Sequence, residues 1–386
     1  MRYHSYLNSA KKIIDAYRGE IPLAVFLKKY FNTNKKYGGR DRKYIAGLCY
    51  NFYRLGKAIP QLPVEEKIIV ATFLCEQQSS DFVAFHKPEW NELISSPLAE
   101  KLAIAGFTVA DIFPFADELS AGIDAEAFGY SFFQQPHLFL RIRPGHKESV
   151  LKKLEDAAIV FELLHDDCLA LASATKIDTV LEIDKEVIVQ DYNSQQVLHY
   201  LEHEEPVLPK PVSTWDCCAA SGGKSILAYD KLKARIVLTV SDIRESILAN
   251  LEKRFETAGI TNYRSFITDL SDPDHQPSAG GFQLIICDAP CTGSGTWSRT
   301  PEQLYYFKRK MIDVYAQMQQ QIVTNVIPQL QPSAVFIYIT CSVFKSENDM
   351  MVNFIKEKFH LQLLQMELLK GYDKKADSMF VAVFKK

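Results

Sequence analysis

Two cysteines stand in turns where packing alone would not put them. Residues 288–295 read DAPCTGSG and follow the apolar run FQLIIC, while residues 337–349 read IYITCSVFKSEND. Cys291 and Cys341 each come just after a strand-like apolar run, among Pro, Gly, Thr and Ser. A buried cysteine is ordinarily a small hydrophobe. That role suits Cys49, Cys75, Cys168 and Cys287, but not these two. A thiol attacks only as its thiolate, and at a pKa of about 8.5 only a few per cent is ionised at pH 7. A site that uses one must lower that pKa or remove the proton.

A second constellation lies upstream, in DCCAASGGKS at 216–225. Two glycines let the backbone approach a ligand closely, and the helix that follows offers free N–H groups. The run is neither GxGxxG nor a GxxxxGK[ST] loop, which points to a small nucleoside cofactor rather than a phosphate cradle. Asp242 follows the next strand and suits a ribose, whose two hydroxyls a carboxylate can accept. Asp269 follows the third strand and can meet an adenine amino group, while Asp216 ends the first beside the glycines. Two thiols next to an adenosyl cofactor suggest covalent chemistry on a pyrimidine. A thiolate adding at C6 makes C5 an enamine-like carbon able to attack an activated methyl group. Asp288 can hold the N3/N4 edge of a cytosine, and Lys224 can support the cofactor turn or the base pocket.

These residues need a scaffold that gathers strand ends. From Val212 onward the chain alternates apolar strands with helices: VSTWD, RIVLTVSD, YRSFITD, FQLIICD, AVFIYIT and MFVAVF. That pattern predicts an α/β fold, a doubly wound Rossmann-like sheet with ligands at the carboxyl ends of its strands. Three domains are expected: helical over 1–125, a small α+β lobe with linker over 126–205, and the sheet domain over 206–386. In the first, apolar residues recur at helical spacing over 5–30 and from Ile45 to Leu55, with Asp41 as N-cap and Gly56 as stop. Pro63 to Gln77 and Pro114 to Ala127 also read as helices. In the second, QQPHLFLRIR, LALASA and VIVQD read as strands, VLKKLEDA as a helix and LEHEEPVLPKPV as linker.

Bulk composition narrows the function classes. The 386 residues carry a net charge of −3, and no apolar stretch is long enough for a membrane span. With no secretory leader, a cytoplasmic protein with reduced thiols is expected, as a monomer. The eight cysteines include no CxxC pair, so no metal site is expected. Residues 28–43 carry Lys28, Lys29, Lys35, Lys36, Arg40, Arg42 and Lys43 against Asp41 alone, a cluster that can sit on phosphates.

In order, DCCAASGGKS, SDIRESILANLEKRF, ITDL, IICDAPCTGSGTWSRTPE and YITCSVFKSEND resemble the motifs of the RsmB/NOP2/NSUN RNA cytosine-5 methyltransferases, over 190–386. VQDYNSQQV resembles the motif preceding their cofactor turn, residues 134–190 their RNA-binding lobe, and GGRDRKYIAGLCYNFYRL the NusB-like domain of bacterial 16S rRNA members. The resemblance implies that Cys341 attacks C6 and that Cys291 helps to release the product. It implies S-adenosylmethionine as cofactor, bound by Cys218, Ala219, Ala220, Ser221, Gly222, Gly223, Lys224, Asp242, Asp269 and Asp288. RNA, most of all rRNA, is the implied partner, with contacts expected from Lys35, Lys36, Arg40, Lys43, Arg141, Arg143 and Arg299. One departure is Ser221, where the family's turn has proline. A tRNA cytosine-5 methyltransferase, a DNA cytosine-5 methyltransferase using Cys291 as nucleophile, and a catalytically silent RNA-binding assembly factor are the alternatives. The missing GxGxxG disfavours a dinucleotide oxidoreductase.

Overall fold

The computed structural model describes residues 2–203, 211–274 and 280–386. The chain packs as two units. One holds Met1–Leu119, Ile123–Gln135 and Thr296–Arg309; the other holds Ser120–Gly122, Pro136–Gly295 and Lys310–Lys386. The small lobe and the large sheet, expected as separate domains, thus fall in one unit. The segment after the DAPC turn leaves the sheet's unit for the helical one. Residues 204–210 of the expected linker lie outside the described residues. Among the described residues, no helix is long and apolar enough to cross a membrane.

The helical unit is built on Arg2–Ala16, Gly39–Arg54 and Val64–Cys75. The apolar stripe Ile45, Leu48, Cys49 and Phe52 is buried, as its spacing requires. Asp41 is not the N-cap: Gly38 occupies that position and Asp41 sits in the first turn, where its charge suits the helix N-terminus. Gly56 does end the helix, at φ +55°. Pro114–Ala127 is not one helix. A short 3-10 turn spans Ala116–Glu118, and a new helix begins at Ala125 with the Asp124 carboxylate accepting from Glu126 N and Ala127 N. Thr296–Arg309 joins this unit through buried polar contacts. Arg54 donates to Ser298 O at 3.0 Å, Glu302 accepts from Leu23 N at 3.0 Å, and Lys57 donates to Tyr305 O and Phe307 O.

In the second unit, the small sheet comprises β1 (Leu138–Ile142), β2 (Phe161–Leu163), β3 (Cys168–Leu171) and β4 (Val187–Val189). Its strands are antiparallel in the order β2-β3-β1-β4. The large sheet comprises β5 (Val212–Asp216), β6 (Ile236–Asp242), β7 (Tyr263–Ile267), β8 (Phe282–Asp288), β9 (Leu330–Thr340), β10 (Gln362–Leu369) and β11 (Met379–Lys385). Its order is β10-β11-β9-β8-β5-β6-β7, with β9-β8-β5-β6-β7 parallel and β11 and β10 antiparallel. This is the doubly wound α/β sheet that the strand and helix alternation predicts. Both faces are buried: Leu284, Ile286, Val335, Ile337 and Ile339 pack on one, Ile285, Cys287, Phe336 and Tyr338 on the other. Strands covered on both sides read as continuous apolar runs, as LIIC of β8 and AVFIYI of β9 do. Edge strand β10, QLLQMELL, escaped notice because it is largely exposed.

Candidate active site

Strand β5 pairs with β6 on one side and β8 on the other, so the chain reverses its winding there. Such a switch point opens a crevice at the carboxyl ends of the strands. A cavity of about 500 Å³ lies there, lined by Cys217, Cys218, Ala220, Asp242, Asp269, Asp288, Cys291 and Cys341 among others. Apolar walls come from Ile243, Leu270, Ala289, Pro290, Met318 and Ile322. Three carboxylates over an apolar slot, beside a glycine turn, suit an adenosyl group.

The glycine turn is built by close approach. Gly222 has φ +82° and caps the helix Gly223–Lys231. A Cβ on Gly222 would come within 2.8 Å of Phe255 and 3.0 Å of Leu251, so packing as well as conformation demands glycine. Ser221, which takes the place of the family's proline, is clamped instead. Arg254 donates to Ser221 O at 2.7 Å and Oγ at 3.0 Å, and is itself paired with Asp184 at 2.7 Å. The rigidity a proline ring supplies through φ is supplied here by a buried guanidinium.

Asp242 is 6% exposed and fully engaged. Its Oδ1 accepts from Arg244 N and Nε, and its Oδ2 from Arg244 Nη2 and Ala220 N, all at 2.9–3.1 Å. Burial pushes its pKa up, but the Arg244 and Ala220 bonds outweigh that and hold it below the ordinary value. A ribose bonded to Asp242 would have to displace the Arg244 side chain, which is 57% exposed. Arg244 is a site residue that its sequence position did not reveal. Asp242→Ala should weaken S-adenosylmethionine binding by about 10- to 100-fold, the loss of two charge-assisted hydrogen bonds. Arg244→Ala should leave the affinity equal or higher. Calorimetry checks both, and unchanged affinity in Asp242→Ala would remove the ribose role. Asp269 is exposed, with Oδ1 accepting from Ser271 N and Oγ.

Asp216 lies beneath the turn, fully buried, with Oδ2 accepting from Ser225 Oγ at 2.5 Å and Oδ1 unpartnered. Burial pushes its pKa up to about 7 against the Ser225 bond. With the folded value above the unfolded one of about 3.9, its contribution to stability is complete at low pH and lost as pH rises towards about 7. Asp216→Asn should remove that slope. Melting curves at about pH 5 and about pH 8 should show the variant gaining on the wild type at the higher pH. Parallel profiles would contradict this.

The thiols meet as their strands dictate. Asp288 of β8 is level with Ile339 of β9, which brings the turns that follow side by side. The Cys291 and Cys341 sulfurs are 3.3 Å apart. The hydrogen bond to Cys341 and burial raise the Cys291 pKa. Lys224 donates to Asp288 Oδ2 at 2.6 Å. Burial alone would lower the Lys224 pKa, but Asp288 and then Cys341 raise it. The ammonium thus stands within electrostatic reach of the Cys341 sulfur.

Behind both cysteine turns stands Glu347, fully buried. It accepts from Thr292 N at 2.9 Å, Thr292 Oγ1 at 2.6 Å, Gln319 Nε2 at 3.0 Å, and Ser342 Oγ. Burial raises its pKa against the bonds from Ser342 and Thr292. Asn348 completes the support, accepting from Thr340 Oγ1 at 2.6 Å and donating to Ser342 O at 2.9 Å. The sequence motif contained both residues without indicating that they tie the residue after Cys291 to the residue after Cys341.

The expected RNA contacts divide. Lys35, Lys36, Arg40 and Lys43 are exposed on the helical unit. Arg141 and Arg143 are corrected: Arg141 is buried and Arg143 half-buried, both in an ion-pair network with Asp230, at 2.7 and 2.8 Å. Arg143 also donates to Ala258 O at 2.7 Å, so these guanidinium groups hold the small sheet to the large one. Arg299 is half-buried, belongs to the helical unit, and is not among the residues that line the cavity.

Residues 207–383 match the family described as "16S rRNA methyltransferase RsmB/F". Ribosomal RNA small subunit methyltransferase B of Vibrio vulnificus (strain YJ016) is 27% identical over 216 residues, 55% of this chain and 49% of that protein. Its namesake in Enterobacter sp. (strain 638) is 28% identical over 227 residues, 57% and 51% of the two chains. The chain thus spans about half the length of these curated relatives. Among solved structures, PH0851 aligns over 98% of this chain and 97% of its own, with TM-score 0.69 and 18% identity. A structure of NSun6 from Pyrococcus horikoshii with SFG covers 72% of this chain and 96% of its own, with TM-score 0.58 and 14% identity. At such identities the likeness is one of fold.

Proposed function

We propose that residues 207–383, which match the RsmB/F methyltransferase family model, form a methyltransferase domain of that family, and that the protein transfers a methyl group from S-adenosylmethionine to C5 of a cytidine in 16S rRNA. The observation that carries this reading is the pair of thiols 3.3 Å apart at the rim of a nucleoside-sized cavity. The cofactor, when bound, supplies the activated methyl group. It would be held by Cys218 to Lys224 of the glycine turn, with Asp242 on the ribose and Asp269 on the adenine.

The residues of this chain do the rest. Asp288 gives one oxygen to Lys224 and has the other to meet the cytosine N4 amino group. The Cys341 thiolate, beside the Lys224 ammonium, adds to C6 of the base. The displaced electron pair develops at C5, which takes the methyl group. A base then removes the C5 proton, the C5–C6 double bond re-forms and the Cys341–C6 bond breaks. Cys291, whose sulfur lies 3.3 Å from that of Cys341, stabilises the departing sulfur. A DNA-type assignment with Cys291 as nucleophile fits poorly with a thiol whose pKa is raised.

Lys35, Lys36, Arg40 and Lys43 form the basic surface we assign to RNA. Replacing all four with glutamine should lower the slope of log affinity against log salt by about 2–3, on the single-strand scale. An unchanged slope would return them to the role of a solvated face. The reading as a whole is tested by bisulfite sequencing of total RNA with and without the gene. One cytosine lost from 16S rRNA supports it. A lost site in tRNA alone moves the substrate, and no lost site refutes the activity.

A further inference from the structure

Cys217 and Cys218 follow β5, and Cys287 lies in the neighbouring strand β8. Their three sulfurs lie within 4.8 Å of one another. Adjacent cysteines have no metal-site spacing in sequence. The sheet supplies the third sulfur from a strand some seventy residues away. We propose that Cys217, Cys218 and Cys287 form a binding site for a soft d¹⁰ cation, such as Zn²⁺ or Cd²⁺, beneath the cofactor turn.

Geometry and chemistry both support the assignment. In a tetrahedral zinc–thiolate site the Zn–S bonds are about 2.3 Å, which sets the sulfurs about 3.8 Å apart. The observed cluster needs to contract by at most about 1 Å to reach that spacing. Soft thiolates select such ions over Mg²⁺ or Ca²⁺. As the S–M bonds form, the displaced thiol protons pass to solvent. Cys217 and Cys218 line the cavity, so the ion has a route in and the fourth ligand position can be filled by water. Cys287 also packs in the apolar layer with Ile285 and Tyr338, which shields the site's far side. Neither the methyl transfer chemistry nor the thiol pair uses Cys217 or Cys287.

The test uses the full chain with Cys291 and Cys341 both changed to serine, which removes the other thiol pair. Titration with Cd²⁺, followed by the ultraviolet thiolate charge-transfer band, should show one ion per chain. Adding Cys287→Ala should weaken binding at least tenfold, and equal affinity would overturn the proposal. Should that variant fail to fold, X-ray absorption of the Cd²⁺-loaded double variant gives an answer without it. Three sulfur neighbours are expected, and two or fewer would overturn the site.

Discussion

Cys341→Ala should abolish methyl transfer, lowering kcat by about 10⁴-fold or more, as loss of a covalent nucleophile does elsewhere. The size of the effect follows from the chemistry. Cytosine C5 has little nucleophilic character until a sulfur is bonded at C6. Cys291 is 3.3 Å away, but its raised pKa disfavours the thiolate that attack needs. Cofactor binding should survive, since the ribose and adenine are assigned to Asp242 and Asp269 and not to Cys341. A single-turnover assay with labelled S-adenosylmethionine checks the rate, and calorimetry checks the binding. A residual rate within about tenfold of wild type would show that Cys341 is not the nucleophile.

The second large effect belongs to Glu347, which touches neither cofactor nor base. Glu347→Ala would strip the acceptor from Thr292 N, Ser342 Oγ and Gln319 Nε2 inside a dry core. Each donor left without a partner costs about 1–3 kcal/mol, so roughly 3 kcal/mol in all is expected after hydroxyls reorient. That corresponds to a fall in Tm of roughly 5–10 °C in a unit of this size. The catalytic loss should be larger than the stability loss suggests. Thr292 adjoins Cys291 and Ser342 adjoins Cys341, so slack between them moves both sulfurs. A displacement of about 1 Å at reacting atoms costs on the order of 10²-fold in rate. Glu347→Gln keeps one acceptor oxygen and should recover most of the Tm and part of the rate. A variant Glu347→Ala with normal melting and normal kcat would remove the positioning role.

How far the sequence anticipates this arrangement depends on which interactions are local. The strand ends were legible because β8 and β9, covered on both faces, carry the apolar runs LIIC and AVFIYI. Once the strands are parallel neighbours, the turns after Asp288 and Thr340 must meet, and with them the two thiols. What the sequence hid are contacts between distant segments. Arg141 and Arg143 look like free basic groups on an alternating strand, yet Asp230, 89 residues beyond Arg141, neutralises them. Asp242 reads as an open carboxylate, whereas Arg244 folds back across it. Glu347 sits in a polar run that suggests a solvated loop, but its side chain points into the core. The exit of Thr296–Arg309 from the sheet's unit depends on Arg54, Lys57 and Leu23, all far upstream.

The division of labour between the two cysteines is the centre of this account, and trapping the covalent intermediate tests it most directly. Cys291→Ala protein would be incubated with S-adenosylmethionine and substrate RNA, denatured, and digested for mass mapping. The expected result is a stable protein–RNA adduct joined through Cys341, since the group that helps the sulfur leave is gone, and no adduct from Cys341→Ala. An adduct formed by Cys341→Ala and joined through Cys291, with none from Cys291→Ala, would reverse the roles and contradict the account.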